Sequence, residues 1–184
     1  ALNLGAAIGY LVGKNRISAG GEMQAVIDSG DGNTQSDGTT IGGAKVHQSQ
    51  NITDGAASTP ILTNLVAALR VGGHADMLAT DGPYTLFAPT NDAFGTLPGG
   101  IESLLSTEKR TSLKSTLDNH LVRGAFTNAE LKAIASRNES FTTLNNQKIM
   151  FTIENNAIKL STSSGIAANI EAGDAVASNG IIHA

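Results

Sequence analysis

Four histidines, a few carboxylates and two hydroxyls are the side chains in this chain that could do chemistry. The imidazoles open to a metal are His47, His74, His120 and His183. Zinc sites draw on short fixed spacings, such as two histidines four residues apart on a helix. None of the four stands in such a relation to another candidate ligand, so the pattern points away from a metal centre. The chain has no cysteine, which excludes thiolate metal sites and disulfides. A hydrolase is the sharper alternative, with His120 or His183 as base, Asp92 to orient it, and Thr90 or Ser178 as nucleophile. That chemistry needs nucleophile and base within hydrogen-bond reach in a water-excluding pocket. No Gly-x-Ser-x-Gly elbow is present to provide it. Asp28, Asp31 and Asp37 resemble calcium ligands, but the EF-hand spacing and its terminal Glu are missing. They read as solvated linker, and no cofactor is implied.

The elements that must position these residues are clearest around Tyr84–Pro98. Tyr84-Thr-Leu-Phe-Ala88 reads as a buried strand, with Leu86 and Ala88 on one face and Phe87 on the other. Pro89 has no N–H for a ladder and ends the strand. Thr90 or Asn91 can then cap a short helix, with Asp92 near its positive end.

Upstream, Asn51–Ala57 reads as a short helix. Thr59-Pro60 signals a helix start, and Leu62, Leu65, Val66 and Leu69 follow at i, i+3, i+4 and i+7 until Gly72-Gly73. Another short helix spans about His74 to Thr80. Downstream, Ile101–Leu105 is one or two helical turns. Thr107 caps a longer helix carrying Leu113, Leu117 and Leu121 at i, i+4 and i+8, and Thr127-Asn128 caps a further helix through Ile134. The period then changes. Lys148–Glu154 alternates through Ile149, Phe151 and Ile153, and Asn155-Asn156 turns it into Ala157–Ser161 as a β-hairpin. Gly165–Ile170 begins another strand, and Asn179-Gly180 turns into Ile181-Ile182-His183. Helices first and strands last define an α+β fold.

Residues 1–13 are apolar, with Gly5, Gly9 and Gly13 at the spacing of a glycine-zipper helix. Read functionally, they are a membrane-proximal or oligomerising segment; read structurally, they are an ordinary helix or tail docked on the domain. Thirteen residues are too few to cross a bilayer, and no apolar run in the chain reaches the about 18 residues a transmembrane helix needs. Residues 28–43 are polar and glycine-rich and read as loop or linker. The chain starts at Ala1 and not Met, the form of a processed or trimmed product whose signal peptide has gone. A net charge of −4 disfavours sequence-independent nucleic-acid binding, and 4% aromatics with no tryptophan disfavour base- or sugar-stacking platforms. Asn51-Ile-Thr53 and Asn138-Glu-Ser140 are glycosylation sequons; the alanine-rich, cysteine-free composition favours a bacterial source, in which they carry no sugar.

The string Thr85-Leu-Phe-Ala-Pro-Thr-Asn-Asp-Ala-Phe94, closed by Leu97-Pro98, resembles the first signature box of the fasciclin-type adhesion domain. Ile41–Ala44 through Asn51-Ile52 resembles the family's lead-in, and Leu65–Leu69 its following helix. Asn119-His-Leu-Val122 occupies the middle histidine motif, and Asn179-Gly-Ile-Ile-His183 matches the second box. The match covers residues 41–184, leaving residues 1–40 as an N-terminal apolar segment and a Gly/Asp/Ser-rich linker. Two departures stand out. Asn119 replaces the tyrosine that animal members place before the middle histidine, so integrin binding does not carry over. The second box also stops at Ala184, which reads as a truncated last strand and an exposed sheet edge.

The resemblance implies a wedge or sandwich of two β-sheets flanked by several short helices. It further implies that Thr90, Asn91, Asp92, His120, Asn179, Gly180 and His183 form a structural hub of the boxes and not a catalytic site. The function it implies is non-enzymatic: adhesion to, or association with, a protein, extracellular-matrix or cell-surface ligand. The domain would be secreted, periplasmic or at the cell surface. A second reading is a self-assembling module of the cell envelope, a homo-oligomer driven by residues 1–25; the hydrolase using His120 or His183 stands third.

Overall fold

The computed structural model describes residues 15–17, 23–25, 38–155, 157–163, 165 and 167–184. The chain divides into two compact units, residues 1–37 and 38–184. In the first, β1 (Asn15–Ile17) and β2 (Met23–Ala25) pair antiparallel. The glycine-zipper segment, the three linker aspartates and most of the proposed self-assembly region lie outside the described residues.

The second unit opens with a hairpin where the sequence reads as the end of a linker. β3 (Gly38–Ile41) and β4 (Ala44–His47) pair across Gly42-Gly43, both at positive φ. Those glycines make the tight turn that their abundance disguised as flexible chain. Ile41 and Val46 are fully buried. Then come α1 (Ile52–Ala57), a 3-10 turn (Pro60–Leu62), α2 (Thr63–Val71) and α3 (Ala75–Thr80). β5 (Tyr84–Phe87) leads through Pro89 into α4 (Asn91–Gly95) and α5 (Gly100–Leu105). A 3-10 turn (Thr107–Lys109) precedes α6 (Arg110–Asp118).

Here the structure departs from the leucine period. α6 ends at Asp118, and Leu121 belongs to β6 (Leu121–Arg123), which pairs antiparallel with β5. Leu113 and Leu117 are buried from the helix and Leu121 from the sheet, so pairing with β5 overrides an apolar period that would have run on. α7 (Asn128–Ser136) follows with a full capping box: Thr127 accepts from the Glu130 N–H, and Glu130 accepts from the Thr127 N–H. The chain closes with β7 (Ser140–Thr142), β8 (Lys148–Glu154), β9 (Ala157–Thr162), β10 (Ala167–Ile170), β11 (Ala175–Ala177) and β12 (Gly180–His183).

Two four-stranded sheets result, ordered β10-β9-β8-β7 and β11-β12-β5-β6. β12 is interior to its sheet, antiparallel to β11 and parallel to β5. The second sheet is a wall between two apolar clusters. On one side Tyr84, Leu86, Ala88, Leu121 and Ile182 join the helical core of Leu62, Leu65, Leu69 and Leu113. On the other, Phe87 and Val122 join Leu131 and Ile134 of α7 with Ile149 and Phe151 of β8. The alternation of Leu86 and Ala88 against Phe87 thus assigns neighbouring residues to different cores. Ile153, grouped by period with Ile149 and Phe151, is 43% exposed near the end of β8.

Candidate functional site

The two signature strings meet as strands. Parallel pairing sets Gly180 beside Tyr84, Ile182 beside Leu86 and His183 beside Phe87. Gly180 is required by the closeness of that approach: a Cβ there would fall 2.0 Å from the Tyr84 carbonyl oxygen and 2.6 Å from Ile52 Cδ1. Beyond the ladder, Ala88 N–H donates to the His183 carbonyl at 2.6 Å, and Phe87 N–H to the His120 carbonyl at 2.9 Å. The middle histidine therefore reaches the first box through its backbone.

Asparagines do most of the side-chain work on the helical side. Asn179 Oδ1 accepts from Ile52 N–H at 2.9 Å, satisfying an orphan donor at the start of α1. Its Nδ2 donates to the Leu78 and Asp81 carbonyls, at 2.7 and 2.8 Å, closing the end of α3. Its own carbonyl accepts from Tyr84 N–H at 3.1 Å. Asn91 serves α2 in the same way. Its Oδ1 accepts from Asn64 N–H at 3.0 Å, while Nδ2 donates to the Pro60 carbonyl at 3.0 Å and Thr63 Oγ1 at 2.9 Å. The residue at the N-cap of α2, Leu62, has no side chain able to cap it. Two asparagines, one from each box, thus terminate three helices that are not their own. Each such bond contributes about 0.5–1.5 kcal/mol net, and more is lost when a buried partner is left unmade.

The remaining hub residues behave differently. Thr90 sits at the N-cap of α4 but makes no side-chain cap bond, and Asp92 is exposed in the first turn of that helix. Among the described residues no hydrogen bond joins Thr90 to His120. The His120 ring turns back on the end of α6, Nδ1–H donating to the Thr116 carbonyl at 2.8 Å. Burial pushes its pKa below the ordinary 6.5 against the opposing pull of that carbonyl, although the residue as a whole is only half-buried.

His183 anchors the other side of the wall. It is 1% exposed, its ring stacked 5.7 Å from that of Phe87. Nε2–H donates to the Phe126 carbonyl at 2.7 Å, and Nδ1 accepts from Asp174 N–H at 3.4 Å. A carbonyl only accepts and an amide only donates, so the ring is neutral with its proton on Nε2. Burial lowers its pKa, opposed by the Phe126 carbonyl and by the charge of Asp174.

Sequence reasoning missed four contributors. Thr85, fully buried, donates to the Gly124 carbonyl at 2.7 Å and accepts from Phe126 N–H at 3.0 Å. A hydroxyl inside an apolar strand was its available signal. Asp174, at φ +61, accepts from Asn128 N–H at 2.6 Å and stabilises the start of α7; the Gly173-Asp174 pair hinted only at a turn. His74 and Asp118 form a pair at 2.7 Å, His74 being 3% exposed with Nδ1 unpartnered, and nothing in their spacing announces it. Among the described residues no three ligating side chains gather where a metal could sit.

A strand-to-strand union of two boxes, with asparagines tying helices to it, defines a small α+β scaffold whose polar groups are largely spent on its own backbone. The fasciclin domain profile matches residues 60–184. Two Synechocystis proteins are similar: sll1483, 34% identical over 76% of this chain and 73% of its own, and sll1735, 31% identical over 72% and 92%. The chain belongs to the fasciclin domain family. In fold it is similar to a FAS1 domain pair from the insect cell adhesion molecule fasciclin I, with a TM-score of 0.66 and 17% identity over 79% of this chain. It spans 55% of that two-domain structure. Fasciclin domains as a class are adhesion and protein-interaction modules, generally non-enzymatic and extracellular or at the cell surface.

Proposed function

We propose that this domain is a non-enzymatic, extracytoplasmic adhesion module that binds a protein or matrix ligand. The observation that carries the reading is where the motif side chains go. Asn91 and Asn179 close helix ends, and the His183 ring is satisfied at both nitrogens. A nucleophile–base pair would need Thr90 or Ser178 beside an imidazole, and the motif histidines instead bond to the Thr116 and Phe126 carbonyls. The boxes are the frame, and recognition falls to the surfaces that the frame presents. In the described residues no helix is long and apolar enough to cross a membrane.

The test is binding of the labelled domain to intact cells and to isolated envelope of the source organism. Saturable binding, competed by unlabelled domain and lost on unfolding, is expected. Uptake no greater than that of the unfolded chain would overturn the reading, as would recovery of the native protein solely from the cytosolic fraction.

A further inference from the structure

We propose that His183 is an acid-sensitive latch, whose protonation breaks its contact with the Asp174 N–H, pulls the Asp174 carboxylate off Asn128 and so loosens the start of α7 while the helical core stays closed. Nδ1 of His183 is an acceptor facing the Asp174 N–H, so a proton there would set donor against donor. The ring cannot swing away to relieve this. Gly173 passes close by, since a Cβ added there would fall 2.6 Å from Nδ1, and Phe87 covers the ring's face.

The groups facing the ring are Phe87 from β5, Phe126 from the β6–α7 connection, Asn128 from α7 and the Gly173–Asp174 segment. Asp174 is the titratable group among them. Glu130, one turn into α7, is held by the Thr127 N–H and hydroxyl at 2.8 and 2.9 Å. A charged imidazole would therefore draw the Asp174 carboxylate toward itself and off Asn128 N–H, where it now sits at 2.6 Å. The same residue holds β3, its carbonyl accepting from Thr39 Oγ1 at 2.8 Å. Asp174 thus connects the ring to α7 and to the β3–β4 hairpin, and only the ring's neutral form fits all three contacts. The downward push of burial on His183 agrees in sign: the neutral form is favoured at neutral pH, and acid is needed to lift the latch.

The test is a pH titration of the isotopically labelled full chain by NMR, from about pH 7.5 to about 5. The His183 ring nitrogens and the amides of Asp174 and Asn128 are expected to shift together, with one midpoint, while the amides of Leu65–Leu69 in α2 hold still. A ring that titrates without those amides overturns the proposal, and so does a single global step in which every amide moves at once. His183→Gln keeps a donor and an acceptor but cannot charge, and should abolish the concerted shift. His120→Gln should leave it in place; its loss there would move the effect to the other histidine. Asp174→Asn supplies a check that does not require replacing the ring: Asn128 should then no longer follow the His183 midpoint, and unchanged coupling would sink the latch.

Discussion

The two sides of the central sheet are held by different chemistry. On the helical side, amides do the fastening: Asn179 and Asn91 donate and accept at helix ends and carry no charge at any ordinary pH. On the α7 side, the fastening runs through an imidazole and a carboxylate, His183 and Asp174. The same wall therefore has one face whose signature residues fasten it through neutral amides and one whose signature histidine fastens it through an imidazole. Signature residues that look alike in a motif can thus serve unlike physical purposes.

The comparison breaks most severely at Phe87, the aromatic that carries the α7-side core. Phe87→Ala removes its contacts with Phe151 and with the His183 ring, 5.6 and 5.7 Å away between centroids, and should cost about 3–5 kcal/mol by urea denaturation. Asn179→Ala strikes the other face, leaving the Ile52 N–H and the end of α3 without partners. About 2–3 kcal/mol is expected from the same measurement, with little change in sensitivity between neutral and mildly acid pH. A loss below about 0.5 kcal/mol would mean that water replaces the amide at no cost.

The acid response should be smaller and separates the faces directly. Unfolded imidazoles take up protons near pH 6.5, whereas His120 and His183 resist doing so when folded. Proton uptake then favours the unfolded chain. Their contribution is fully present above about pH 6.5 and is lost as pH falls below it. Denaturation midpoints measured across that range should fall less steeply for His183→Gln than for the parent. Smallest of all is Thr90→Ala. Since the hydroxyl makes no cap bond, a change under about 0.5 kcal/mol is expected, and a loss of 1 kcal/mol or more would place Thr90 among the fastenings after all.

Local signals were legible wherever local physics decides. The strand that stops at Pro89, the helix cap at Thr127 and the β8–β9 hairpin all follow from short-range rules, and the structure has each of them. What the sequence hid was long-range. Asn91 reads as a cap for its own helix, yet it closes α2, because the fold brings that orphan N–H within reach. Leu121 continues a helical period, yet pairing with β5 takes it into a strand. Gly42-Gly43 has the composition of a linker, and the β3–β4 pairing that buries Ile41 and Val46 makes it a turn. Thr85 and Asp174 gain their roles from partners dozens of residues away, which no single-sequence pattern encodes.

The parallel pairing of β12 with β5 has a kinetic consequence. These strands are far apart in sequence, so their ladder closes everything from α4 to β11 in one contact. Such non-local closure raises contact order and slows folding. During vectorial synthesis β5 would wait, one edge unpaired, while α4 to α7 and the entire β7–β10 sheet emerged ahead of its partner. The interval leaves an apolar strand open to wrong neighbours, and keeping that edge occupied until Gly180–His183 arrives becomes a problem for the cell rather than for the finished fold.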